Sequence, residues 1–271
     1  MLMLKETVMS GTRPWRARLS TTASDPDRRL SPDVRSIALA GSKGGVGTTT
    51  IAVELASLGR AHGLAVALLD LVPRGDSHYR LDVPLPASRC PTIEDLVPLA
   101  EELDEKTLQS AMLRSADGIM LLTTPADRPA DLEGLPRLVR SMSESFDLVI
   151  VDAGRRAGET EASFEACDSP VLVVTPDVIG VGDAGRLLEE VGDARFDRGK
   201  LSVIVNRCLR SDDLISVRDV ESYLCAPVIA VLGEETALCR AAGDRGRFVH
   251  SERTKLSESL QKLYLGLLYP R

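Results

Sequence analysis

The chain has 271 residues, 44% of them apolar and 3% aromatic, with a formal net charge of −7. That length and apolar share suit one large α/β domain or two small ones with an aliphatic core, and the acidic balance argues against general nucleic-acid binding. Five dispersed cysteines without a C-x-x-C pair read as reduced thiols of a cytosolic protein, three separated histidines argue against a metal held by protein side chains alone, and no apolar run approaches the ~20 residues of a membrane span.

Residues 1–34 mix Arg, Ser, Thr, Pro and Asp without apolar periodicity and read as a mobile extension; Trp15 and the arginines around it offer the alternative of a docking arm. Residues 35–271 read as a single domain with no internal repeat or linker. Its first strand, "SIALA" (36–40), runs into "AGSKGGVGTTT" (40–50). A phosphate-binding loop reads G-x-x-x-x-G-K-[ST]; here Gly47 holds the last glycine and Thr49 the magnesium-binding hydroxyl, while Thr48 stands where the lysine belongs. Glycines 44, 45 and 47 let backbone N–H groups converge on an anion, and a helix over 49–62 adds its positive end. The alternative is a tight strand-to-helix turn.

The second strand, "AVALLD" (65–70), ends in "LLDLVPRGD", which carries Asp70, Val72 and Asp76. "GIMLLTT" (118–124) leads through "TTPADRPADLEG" (123–134) into a helix over 133–144. "DLVIVD" (147–152) closes on Asp152, and "PVLVVT" (170–175) continues into "TPDVIGVGDAGRLLEEV" with a helix over 181–192. "LSVIVN" (201–206) stops at Asn206, an ordinary turn former, and a helix over 215–224 precedes "PVIAVL" (227–232). Near-continuous Val, Ile and Leu runs separated by helical stretches predict a doubly wound, mostly parallel sheet with helices on both faces. The segment 240–255 is basic but interrupted by Asp244 and Glu252, so it reads as solvated surface rather than a DNA-binding patch. At the C-terminus, Leu260, Leu263, Leu267 and Leu268 recur at helical spacing in a stretch poor in Lys and Arg. That pattern favours packing on the sheet over contact with a membrane; the alternative is an exposed apolar edge formed by Tyr264, Leu265 and Tyr269.

Lys43 just ahead of "GGVG" resembles the deviant loop K-G-G-x-G-K-[ST] of the MinD/ParA superfamily, and the resemblance extends over nearly all of 36–268. It implies ATP held by Lys43, Gly44, Gly45, Val46, Gly47, Thr48, Thr49 and Thr50, with Asn206 on the adenine. It implies Mg²⁺ at Thr49, Asp70 and Asp152, partly through water; for Asp152 the alternative is a simple cap on a buried strand. In that family the early lysine reaches the partner's nucleotide, so Lys43 implies a homodimer through the nucleotide face. The family also carries D-x-D after its second strand, where this chain has Asp70 but Val72. With Thr48 and Val72 in place of two catalytic groups, no catalytic residue is assigned; Lys43, Asp70 and Asp76 remain candidates, and the expectation is at most a weak ATPase.

The replaced lysine, the segment 123–134 and the "TPDVIGVGDAGRLL" run resemble the TadZ/CpaE branch. That branch implies a cytoplasmic localisation scaffold for Tad/type IV pilus, secretion or division machinery, recruited to the inner face of the cell membrane at a pole or septum. The competing reading is an active ParA/MinD-type ATPase partitioning DNA or protein cargo. A cluster-binding enzyme like the nitrogenase iron protein needs paired glycine-flanked cysteines, and Cys90 in "ASRCPT" has no such mate.

Overall fold

The computed structural model describes residues 33–84, 90–124, 132–192, 195–209, 215–244 and 247–269. Residues 1–32, with Trp15, and residues 125–131 of the segment 123–134 lie outside them. Seven runs of aliphatic residues form parallel strands: β1 (Ser36–Gly41), β2 (Val66–Asp70), β4 (Met120–Thr123), β5 (Leu148–Gly154), β6 (Ser169–Val174), β7 (Ser202–Cys208) and β8 (Val228–Gly233). A two-residue strand, β3 (Leu113–Arg114), pairs antiparallel with β4 and completes an eight-stranded sheet ordered β3-β4-β2-β5-β1-β6-β7-β8. All seven longer strands fall within two residues of the expected spans, and β3 is too short to show periodicity.

Alternation along each strand builds two cores. Ala38, Ala40, Ala67 and Leu69 point to one face. There they meet α5 (Leu135–Ser145), α6 (Ala157–Ala166), α7 (Val178–Val191) and α8 (Val217–Leu224). Ile37, Leu39, Val66 and Leu68 point to the other, under α1 (Thr48–Ala61) and α10 (Lys255–Leu268). Short helices α2 (Ser77–Arg80), α3 (Ile93–Leu96), α4 (Glu105–Ala111) and α9 (Thr236–Asp244) fill the connections. The sheet is doubly wound, as expected. Because every strand but β3 runs the same way, the loops after β1, β2, β5, β6 and β7 gather at one end.

The C-terminal helix packs on the sheet. Thr254 caps it by accepting from Ser257 N–H at 3.1 Å, and Leu260, Leu263, Leu267 and Leu268 are all buried. Tyr264 is fully buried and stacks on His62 at 4.9 Å between ring centroids, and Leu265 and Tyr269 pack partly against the same core. The favoured packing on the sheet is what the helix adopts, and the alternative of an exposed apolar edge at these three residues is not formed. Among the described residues no helix is long and apolar enough to cross a membrane.

One buried charge ties the C-terminal segment to the first helix. Glu54 of α1 accepts hydrogen bonds from Val249 N–H at 2.7 Å and His250 N–H at 3.0 Å, and meets His250 Nδ1 at 2.8 Å. Removing one partner of a buried, charge-assisted network leaves the others unsatisfied. Glu54→Gln is therefore expected to lower the unfolding free energy by about 2–4 kcal/mol in a denaturant titration. An unchanged midpoint would show that the segment finds other partners.

Candidate functional site

The loop after β1 owes its shape to its glycines. Gly45 and Gly47 adopt φ of +82° and +99°, a region that side chains disfavour. Gly47 also opens α1 with no side-chain cap on the helix, so the first N–H groups of a 14-residue helix point outward without a partner from a capping residue. An added Cβ at Gly44 or Gly45 would meet nothing within 4 Å. The backbone there is open to whatever fills the space. Ser42 stands where the phosphate-loop pattern has its first glycine; it is buried and its hydroxyl has no partner.

In front of this loop lies a cavity of about 500 Å³ lined by the segment 43–50, by Leu71, Val72, Pro73 and Asp76 after β2, and by the segment 153–156 after β5. Thr48 lies on its wall but is mostly buried, and its hydroxyl leans against Gly41, where a Cβ would collide with it. No lysine takes its place from this position.

Parallel pairing brings two carboxylates together below the cavity. Asp70 and Asp152 are direct partners in the β2–β5 register, at the ends of their strands, and both are buried. Asp70 Oδ1 accepts from Val72 N–H at 3.0 Å and Asp152 Oδ1 from Gly154 N–H at 3.2 Å, while Oδ2 of each has no hydrogen-bond partner. Burial pushes the Asp70 carboxyl above its ordinary value. Burial first, and the Asp70 charge second, lift Asp152 from 3.8 to about 7, against the hydroxyl of Thr49 and the Gly154 N–H. Two orphaned carboxylate oxygens beside a hydroxyl, near the uncapped N-terminal end of α1, fit a hard divalent cation such as Mg²⁺. Among the described residues no cluster of three or more His, Cys, Asp or Glu side chains holds a metal alone. The remaining ligands of such an ion would be Thr49, water and phosphate.

The raised pKa has a measurable consequence. A carboxyl whose folded pKa lies above its unfolded value stabilises the fold fully below about pH 4, and that contribution is lost as the pH rises through about 7. In metal-free protein, Asp152→Asn is expected to raise Tm by about 4–8 °C above that window and by little near pH 4. Mg²⁺ should stabilise the wild type and not the variant. A pH-independent difference in Tm would show that the carboxyl does not titrate there.

The remaining candidates occupy definite places. Lys43 does not reach into open space: its Nζ lies 3.0 Å from both oxygens of Asp177. Asp177 caps α7, accepting from Gly180 N–H at 2.8 Å. Against the desolvation of its carboxyl, hydrogen bonds from Thr175, Gly180 and Lys43 hold Asp177 below the ordinary carboxylate value. Asp76 does fold back to the cavity wall, but it pairs with Arg80 at 3.0 Å. Asn206 donates to the carbonyl of Val46 at 2.7 Å; it braces the loop and lines a second cavity of about 380 Å³ between Gly47, Leu232, Thr236 and Cys239. The two cavities share Gly47, Thr50, Arg80 and Arg207 along their common wall.

Five cations line the first cavity: Lys43, Arg80, Arg155, Arg156 and Arg207. Only Lys43 was expected. The paired arginines of "DAGRRAGET" directly follow Asp152 in the sequence and were readable there. Arg80 ends the short helix α2 and Arg207 lies near the end of β7, and no local pattern announces either.

Comparison with known proteins places the chain. The family described as the CobQ/CobB/MinD/ParA nucleotide binding domain matches residues 37–247. The septum site-determining protein MinD of Synechocystis sp. is 31% identical over 213 residues, which cover 74% of this chain and 76% of the relative. Among solved structures, a ParA family ATPase from Chlorobium tepidum superposes with a TM-score of 0.73 at 21% identity, covering 85% of this chain and 98% of that one. MinD of Pyrococcus horikoshii, in complex with Mg-ADP, does so with a TM-score of 0.69 at 19% identity, covering 86% and 95%. At those identities the two superpositions speak to the fold alone.

Proposed function

The chain belongs to the CobQ/CobB/MinD/ParA nucleotide-binding family, and within it we propose an ATP–Mg²⁺-binding scaffold that hydrolyses weakly or not at all. The observation carrying this reading is a cavity lined by the glycine loop in which Thr48 and Val72 stand where a lysine and a carboxylate would be needed for cleavage. The glycine loop, the bare end of α1 and the Asp70–Asp152 pair supply anion and cation sites. Thr48 supplies no charge toward phosphate, and Val72 offers no carboxylate to aim water. Phosphates fit the first cavity, held by the backbone of Gly44, Gly45, Val46 and Gly47 with Thr49 and Thr50 at the helix start. Base and ribose fit the second, beside Asn206.

In this reading residues 35–271 form the nucleotide domain and residues 1–34 an extension to it. Two copies associate through the nucleotide face. Val178 and Ile179, 70% and 66% exposed, open α7 directly after the Asp177 that holds Lys43, so exposed apolar side chains lie beside that pair and gain from being covered. The cellular role follows the TadZ/CpaE resemblance: a marker at the inner face of the membrane, at a pole or septum, for pilus, secretion or division machinery.

Steady-state turnover and light-scattering mass, measured together with MgATP, test the reading. Binding with negligible phosphate release, and a dimer lost in Lys43→Ala, is the expected result. Turnover at the rate of an active partition ATPase would overturn it, and would require Asp76 to leave Arg80 and serve the water.

A further inference from the structure

Thr48 removes a positive charge from the place where a nucleotide's phosphates gather, yet the cavity is not short of cations. What matters is which of them are already engaged. Lys43 pairs with Asp177 at 3.0 Å, Arg80 with Asp76 at 3.0 Å, Arg156 Nε with Glu159 Oε1 at 3.4 Å, and Arg207 Nε with Glu234 Oε2 at 3.8 Å. Each of these four brings its own counter-charge, so their net contribution to an incoming anion is small. Among the described residues lining the cavity, Arg155 is the cation with neither an ion pair nor a hydrogen bond, and its side chain is exposed.

Its position is set by the strand that carries the cation site. β5 delivers Asp152, then turns at Gly154, whose φ of +68° few other residues adopt. That turn sets Arg155 on the wall of the same cavity as Thr48, three residues beyond the carboxylate that a divalent ion would use. A guanidinium offers a planar fork of donors that matches phosphate oxygens two at a time, and an unpaired one loses no partner on binding. We propose that Arg155 supplies the phosphate-binding charge that Thr48 leaves out, contacting the terminal phosphates of a nucleoside triphosphate from the β5 side of the site rather than from the loop. The proposal rests on the nucleotide-binding reading above.

Titration calorimetry with MgATP and MgADP, on wild type, Arg155→Ala, Arg155→Lys, Arg156→Ala and the double variant Arg155→Ala/Thr48→Lys, tests it. Arg155→Ala is expected to weaken MgATP by about 10–100-fold, the range of a lost charge-assisted bidentate contact, and MgADP by less. Its nucleotide-free Tm should equal that of wild type, since the side chain has no partner to lose. Arg155→Lys should recover part of the affinity, and Thr48→Lys should rescue the alanine variant by more than it improves wild type. Arg156→Ala, whose charge is already balanced by Glu159, should change affinity less than about threefold. Wild-type binding with an unchanged Arg155→Ala, or equal losses in the two alanine variants, overturns the assignment of Arg155 alone. A wild type that binds no MgATP overturns the nucleotide reading and this assignment with it.

Discussion

Thr48→Lys combined with Val72→Asp is expected to raise ATP hydrolysis by about 10²–10⁴-fold over wild type, read as steady-state phosphate release with saturating MgATP. The size follows from what the two positions lack. Phosphoryl transfer is accelerated mainly by charge placed against the equatorial oxygens and by orientation of the attacking water, and each is worth orders of magnitude when removed from a working enzyme. Both positions line the cavity. Val72 lies on the cavity wall, and its methyl group stands 3.0 Å from where a Cβ on Gly154 would be, so an aspartate there sits over the strand end that carries Asp152. Each single substitution should give much less than the pair, because groups acting on one transition state are strongly non-additive. A double variant that binds MgATP yet turns over no faster would show that other parts of the hydrolytic apparatus are missing as well. A wild type already turning over at that rate would show that the two positions are no handicap.

The second large effect comes from a single methyl group. Gly47→Ala is expected to weaken nucleotide binding by at least about 100-fold and to lower stability by about 2–4 kcal/mol. Gly47 has φ of +99°, where an L side chain is strained, and its new Cβ would lie 2.5 Å from Asn206 Nδ2. Asn206 has little room to retreat, since it is held to the Val46 carbonyl. The collision therefore pushes apart the two sides of the loop that frame the anion site. Adding Asn206→Ala removes the collision but not the backbone strain, so the double variant should regain part of the stability and little of the binding. Equal values for Gly47→Ala and wild type in both measurements would mean that the loop does not need its left-handed turn.

The architecture was legible because the strands that matter are buried on both faces and read as uninterrupted aliphatic runs. β1, β5 and β6 stand at the middle of the sheet, and their sequences leave little else for them to be. The glycine loop was legible for a different reason: positions that need positive φ select glycine, so Gly45 and Gly47 announce a backbone shape directly. Asp70 and Asp152 could be nominated one at a time, but their pairing is a property of β2–β5 register and lies in no stretch of chain. The same holds for Asp177, which ordinary helix-capping preference explains locally, while its role as the partner of Lys43 depends on two loops 134 residues apart. The full burial of Tyr264 was not legible locally, because it depends on His62, which supplies a ring to stack on from a distant part of the chain. The balance of charges in the cavity was the least legible feature, since it depends on which carboxylate each arginine meets.

Glu54 sits on the same helix whose first residues line the first cavity, about one and a half turns further along, and it is the shared acceptor for two consecutive amides of the C-terminal segment. Freeing those amides strands a carboxylate in the interior, so the segment at 249–250 opens only together with the neighbouring turn of α1. Hydrogen exchange at Val249 and His250 should consequently proceed at the slow rate of the phosphate-loop helix rather than at the rate of a surface connection. Any ligand that steadies that helix should slow exchange at a place it never touches.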